Sequence, residues 1–164
     1  MASLTLVSTL PAYGDLGKRN KKDKNSNATT EDPHGLNLAY PKAYLDAPSD
    51  RIPCLTHRSY LQAKADAIHQ RFGITPASAL MKQVRAIHRY QVSPAQFHAI
   101  RDAGYPILIV AGAMDILVAM ERTIELYKGL ASDHTQRKGF EKGGHALFQQ
   151  YGIALARFTI DHQV

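Results

Sequence analysis

Apolar and polar positions follow three different rhythms along this chain, and each change of rhythm marks a change of structure. Ser3-Leu4-Thr5-Leu6-Val7-Ser8 is a short apolar stretch with β-branched character, closed by Pro11 and Gly14, the pattern of a strand. Residues 15–55 are rich in Pro, Asn and Lys and show little periodicity, so they read as loop. Within that loop, Tyr40-Pro41-Lys42-Ala43-Tyr44-Leu45 is expected to form a packed turn, because its aromatic rings need burial.

Helical spacing then takes over. Leu61, Ala65, Ile68 and Phe72 recur at intervals of four, three and four, one face of a helix that Gly73 stops. Thr75-Pro76 has the form of an N-cap followed by proline at the first helical position, and Leu80, Val84 and Ile87 continue an apolar face. Ser93-Pro94-Ala95-Gln96 is a capping box that opens a helix burying Phe97 and Ile100, and Gly104 ends it. After Tyr105-Pro106 the rhythm changes again. Ile107 to Ala111 is an unbroken apolar run between Pro and Gly, the mark of a strand buried on both faces. A helix over 118–130 places Met120, Ile124 and Tyr127 on one side, and Thr135 to Phe140 reads as a polar edge strand. Ala146 to Ile160 closes the chain as a helix with Phe148, Leu155 and Phe158 among its apolar positions. Strand, helix, strand, helix at this end predicts an α/β protein with a parallel sheet.

Composition narrows the reading. A chain of 164 residues with 45% hydrophobic content is expected to form one domain with a buried core. Its single cysteine, Cys54, leaves no internal disulfide or cysteine-based zinc site and suits a reducing, cytoplasmic setting. No apolar run is long enough for a membrane span, and Met1 to Tyr13 lacks the basic start of a secretory signal. Asn27-Ala28-Thr29 is therefore read as a chance match to a glycosylation acceptor. The net charge is +6, and Lys18, Arg19, Lys21, Lys22 and Lys24 supply much of it among Asn20, Asn25, Ser26 and Asn27. With no interleaved aromatics, that cluster reads as a solvated loop rather than a nucleic-acid site.

Candidate chemistry sits in the last third. The apolar run at 107–111 leads into Gly112-Ala113-Met114-Asp115, and thirty residues later comes Glu141-Lys142-Gly143-Gly144-His145. A carboxylate past one buried strand and a histidine past the next is the second half of the order Ser…Asp…His. Gly-x-Ser-x-Gly occurs nowhere in the sequence. Ser78 and Ser93 are explained by helix starts, and Ser8, at a strand end, is the one serine worth testing as a nucleophile. Asp115 has a second use as the cap of a helix beginning near Leu117. His57, His69, His88, His98, His134 and His162 show no metal-binding spacing, and neither metal nor cofactor is expected. Tyr40, Tyr44, Phe72 and Phe97 are either plain core or the lining of an apolar pocket.

These residues resemble the α/β-hydrolase family. Gly112-Ala113-Met114-Asp115 is similar to its acid-bearing turn, Gly143-Gly144-His145-Ala146-Leu147-Phe148 to its histidine turn, and Ser3 to Thr9 to the strand after the helix behind the nucleophile. The helical middle, roughly 57–103, falls where that family inserts a lid. The resemblance implies the C-terminal part of the fold: a core strand in 1–14, a loop and helical lid in 15–103, and core strands and helices carrying Asp115 and His145 in 104–164. It differs at Lys142, where the family's turn often has glycine. It also implies that the nucleophile elbow and oxyanion loop lie upstream of this sequence. The implied function is that of a serine hydrolase of small esters or amides, inactive in this chain alone and competent only if completed by an N-terminal half. The alternative is a non-catalytic ligand-binding or protein-interaction module built on the same fold. Either way an unpaired sheet edge at residues 3–8 is expected to favour self-association.

Overall fold

The computed structural model describes residues 4–7, 32–73, 77–89 and 92–161. Strands β1 (Leu4–Val7), β2 (Ile107–Gly112) and β3 (Thr135–Phe140) form a parallel sheet in that order. Leu4 lies opposite Ile107, and Ile107 opposite Thr135. Every residue of β2 is buried, so the unbroken apolar run is the central strand. Its alternation divides the core. Ile107 and Ile109 face Leu126 and Leu130, with Leu6, Phe97, Ile100 and Tyr127 packed around them. Leu108 and Val110 face the other way, onto Leu147 and Leu155.

The helical middle consists of α3 (His57–Phe72), α4 (Ala77–Arg89) and α5 (Pro94–Asp102). Thr56 caps α3 by accepting from the Ser59 amide, and Gly73, at φ 76°, ends it in a conformation that favours glycine. Ser93 and Gln96 form the reciprocal capping box that opens α5. Thr75-Pro76 lies outside the described residues, as do Ser8, the basic cluster at 18–24 and the side chains of Leu80, Val84 and Ile87. Only the first part of the expected α3 face is buried: Leu61 is in the core, whereas Ile68 and Phe72 are exposed. The last helices are α6 (Met120–Leu130) and α7 (Leu147–Asp161), the latter kinked at Tyr151.

Three expectations are corrected. The 15–55 stretch is not all loop: it contains α1 (Leu36–Ala39) and α2 (Lys42–Leu45), each a single turn too short to show a helical period. Asp32 makes α1 possible, its two carboxylate oxygens accepting from the amides of Leu36 and Asn37 at 2.8 Å each. These turns bury Leu36, Tyr40 and Leu45 against Leu61 as a third core cluster, so the packed turn at 40–45 is present. Helix α6 starts two residues later than expected, and its deeply buried positions are Thr123, Leu126 and Leu130, with Met120, Ile124 and Tyr127 at the margin. Phe148 is exposed; Leu147 beside it fills the core instead. Of the two readings open for Tyr40, Tyr44, Phe72 and Phe97, plain core describes all but Phe72. The two tyrosines pack in the α1–α3 cluster, Phe97 packs beneath the sheet and Phe72 points to solvent.

Candidate active site

Because β2 and β3 are adjacent and parallel, the turns that follow them emerge at the same end of the sheet, where open α/β sheets place their ligands. Backbone hydrogen bonds tie the two turns together. The Ala113 amide donates to the Phe140 carbonyl at 2.9 Å, and the Met114 amide to the Gly143 carbonyl at 2.9 Å. The approach is so close that a Cβ on Gly112 would lie 2.3 Å from the Gly143 carbonyl oxygen. Gly143 and Gly144 are equally constrained, by Leu147 and Phe140 on one side and by the Ala39 carbonyl and Pro41 on the other. The exposed Lys142 sits outside this contact, so the absence of glycine there leaves the turn intact.

Asp115 uses its two carboxylate oxygens differently. Its Oδ1 accepts from the amides of Leu117 and Val118 at 2.9 and 2.8 Å, which holds the turn ahead of α6. It does not cap the helix itself, whose N-cap is Ala119. Its Oδ2 faces His145 Nδ1 at 3.0 Å. One oxygen is thus fixed by backbone, leaving the other directed at the imidazole. The Asp115 side chain is 2% exposed and that of His145 is 36% exposed. The hydrogen bond that His145 donates to Asp115 raises the His145 pKa above its usual 6.5; burial works against this, and the carboxylate charge adds to it. With Nδ1–H donating to the carboxylate, Nε2 is the nitrogen that would exchange a proton with a reacting group.

The histidine turn is braced from outside the sheet, by a segment that sequence reasoning read as loop. The Ala146 amide donates to the Ala39 carbonyl at 3.0 Å. Tyr40 donates its hydroxyl to Gln149, and Gln150 accepts from the Gly144 amide at 2.7 Å. Burial, with Tyr44 beside it, pushes the Tyr40 hydroxyl up to about 12, so it remains a donor at neutral pH. Tyr44 stacks on Tyr40 and, at 4.1 Å between centroids, on His57. The one sequence signal for this brace was the need of those aromatics for burial. Among the described residues, no group of three or more His, Cys, Asp or Glu is arranged to hold a metal ion.

No protein-family model matches this sequence, and no curated protein does. Solved structures match its fold. A hydrolase from Pseudomonas aeruginosa PA01 superposes with a TM-score of 0.64 at 15% identity, over 98% of this chain and 54% of that one. MGS-M2, an α/β-hydrolase enzyme from a Medee basin deep-sea metagenome library, gives 0.62 at 12% identity, over 98% and 55%. The meta-cleavage product hydrolase CumD from Pseudomonas fluorescens IP01 gives 0.58 at 15% identity, over 98% and 54%. The architecture is therefore that of a partial α/β-hydrolase fold. The chain spans just over half the length of these structures.

Proposed function

We propose that Asp115 and His145 are the orienting acid and the general base of a serine-hydrolase mechanism acting on small esters, amides or related molecules. The observation that carries this reading is the 3.0 Å contact between a buried carboxylate and a part-exposed imidazole at the shared end of two parallel strands. In that mechanism His145 takes the proton of a serine hydroxyl and later returns it to the leaving group. Asp115 fixes the tautomer and stabilises the transient imidazolium. The nucleophile and the oxyanion-hole amides must come from residues outside these 164, since Gly-x-Ser-x-Gly is absent from them.

Two contrasting sheet edges support this completion. The described strand β3 is polar, and its cations lie over flanking aromatics, Arg137 over Tyr127 at 5.7 Å and Lys138 over Phe158 at 4.3 Å. Strand β1 is Leu-Thr-Leu-Val and carries no charge. An uncharged apolar edge lacks the devices that keep an exposed edge from pairing, so a further strand is expected beside β1 in the complete protein. Isolated, the chain should self-associate there, which sedimentation velocity would show as concentration-dependent mass.

The test is hydrolysis of p-nitrophenyl esters by the purified chain, alone and joined to whatever coding sequence lies in frame upstream. No saturable turnover is expected from the chain alone. Turnover that requires both an upstream Gly-x-Ser-x-Gly serine and His145 is expected from the joined protein. Turnover by the chain alone that is lost in His145→Ala, or by the joined protein when His145 is replaced, would contradict the proposal.

A further inference from the structure

The helical middle carries a charge pattern that the catalytic pair does not use. Between Asp66 and Asp102 there is no carboxylate, while Arg71, Lys82, Arg85, Arg89 and Arg101 all lie there. Arg101 is engaged by Asp102 at 2.8 Å, but Arg71, Lys82, Arg85 and Arg89 are exposed. Lys82, Arg85 and Arg89 follow one another at intervals of three and four along α4, which aligns them as one stripe of the helix. Large apolar side chains stand in solvent beside them. Phe72, 73% exposed, ends α3 with the Arg71 guanidinium 5.1 Å from its ring centre, and Met81, 63% exposed, precedes Lys82; Ile68 is exposed one turn before Phe72.

Exposed cations and apolar groups on two consecutive helices, with no acidic residue in the sequence between Asp66 and Asp102, ask for a partner that is both anionic and apolar. We propose that the α3 C-terminal turn and α4 form a docking face for an anionic lipid bilayer. Headgroups neutralise the cation stripe, while Ile68, Phe72 and Met81 enter the boundary with the acyl chains, as amphipathic interfacial helices do. A nucleic acid offers phosphates and base faces, and neither supplies an apolar phase in which the aliphatic Ile68 and Met81 could be buried. The interaction is peripheral; no helix among the described residues is long and apolar enough to cross a membrane.

The experiment is flotation of the full chain with vesicles of phosphatidylcholine, with or without roughly a third phosphatidylserine, because floating lipid-bound protein separates from sedimenting aggregate. The chain should float with the anionic vesicles and stay behind with the neutral ones. Combining Lys82→Gln, Arg85→Gln and Arg89→Gln should lower partitioning on the order of a hundredfold, since each cation near an anionic surface contributes about fivefold. Phe72→Ser with Met81→Ser should lower it about tenfold or more while leaving the charge unchanged. All five positions are exposed, so circular dichroism should be unaltered. Failure to float with anionic vesicles, or equal flotation with neutral ones, would overturn the proposal. So would unchanged binding by the triple variant, which would move the activity to the cluster at 18–24. Unchanged binding by the Phe72 and Met81 variant, with DNA competing fully, would make the face a simple polyanion binder.

Discussion

Two aspartate–histidine pairs among the described residues have nearly equal length and opposite construction. His145 and Asp115 meet at 3.0 Å, and His34 and Asp66 at 2.8 Å. In the first the carboxylate is sealed at 2% exposure and the imidazole is 36% open; in the second the imidazole is 9% exposed and the carboxylate 60%. Asp115 has its other oxygen held by two backbone amides, whereas His34 has its other nitrogen, Nδ1, buried with no hydrogen-bond partner. Reversing which partner is buried reverses what the pair can do. A fixed, buried acid presents an accessible base, while a buried imidazole tied to a surface carboxylate joins the turn before α1 to helix α3. Distance alone does not separate the proposed acid–base contact from a strut.

Substitutions can break or sharpen this contrast, beginning with the scaffold. Leu147→Ala, at a fully buried position directly after the histidine turn, should cost about 2–5 kcal/mol in urea unfolding. Gly112→Ala forces a methyl onto the Gly143 carbonyl and should cost about 1–3 kcal/mol, with the His145 titration shifting toward 6.5 as the turns separate. Asp115→Asn leaves volume unchanged but removes a charged acceptor, and should cost about 1–2 kcal/mol below pH 6.5. Asp66→Asn should have the smallest effect, under about 1 kcal/mol because the carboxylate is exposed, and should leave the His145 titration untouched. An equal response of His145 to the Asp66 and Asp115 substitutions would erase the distinction between the pairs.

The pH dependence has a defined sign. His145 binds its proton more tightly folded than unfolded, so its contribution to stability is complete below the unfolded value near 6.5. That contribution is lost as pH rises through the higher folded value. Urea midpoints should therefore fall across that window in the native chain, and Asp115→Asn should flatten this component.

Much of the Asp115–His145 site was legible because local patterns specify it. The apolar run at 107–111 required a central strand, and the acid and histidine following consecutive strands had to meet once those strands paired in parallel. The capping box at Ser93 and the glycine stop at Gly73 are likewise local devices. What escaped depends on contacts distant in sequence. The Asp32 cap and the single-turn helices α1 and α2 are too short to leave a period, and the bonds from Ala39 and Tyr40 to Ala146 and Gln149 join residues about a hundred positions apart. Periodicity identified Phe72 and Phe148 as apolar but not whether anything covers them. Nothing in the spacing of His34 and Asp66 announces a pair, because loop and helix bring them together only in the fold.

The most direct measurement is an NMR titration of the His145 imidazole in the native chain and in Asp115→Asn, reading pKa and tautomer together. The expected result is a pKa above 6.5 with the proton of the neutral ring on Nδ1, and a clear fall in pKa when the carboxylate becomes an amide. An unshifted His145, or a pKa indifferent to Asp115→Asn, would contradict the assignment of these residues as an oriented acid–base pair.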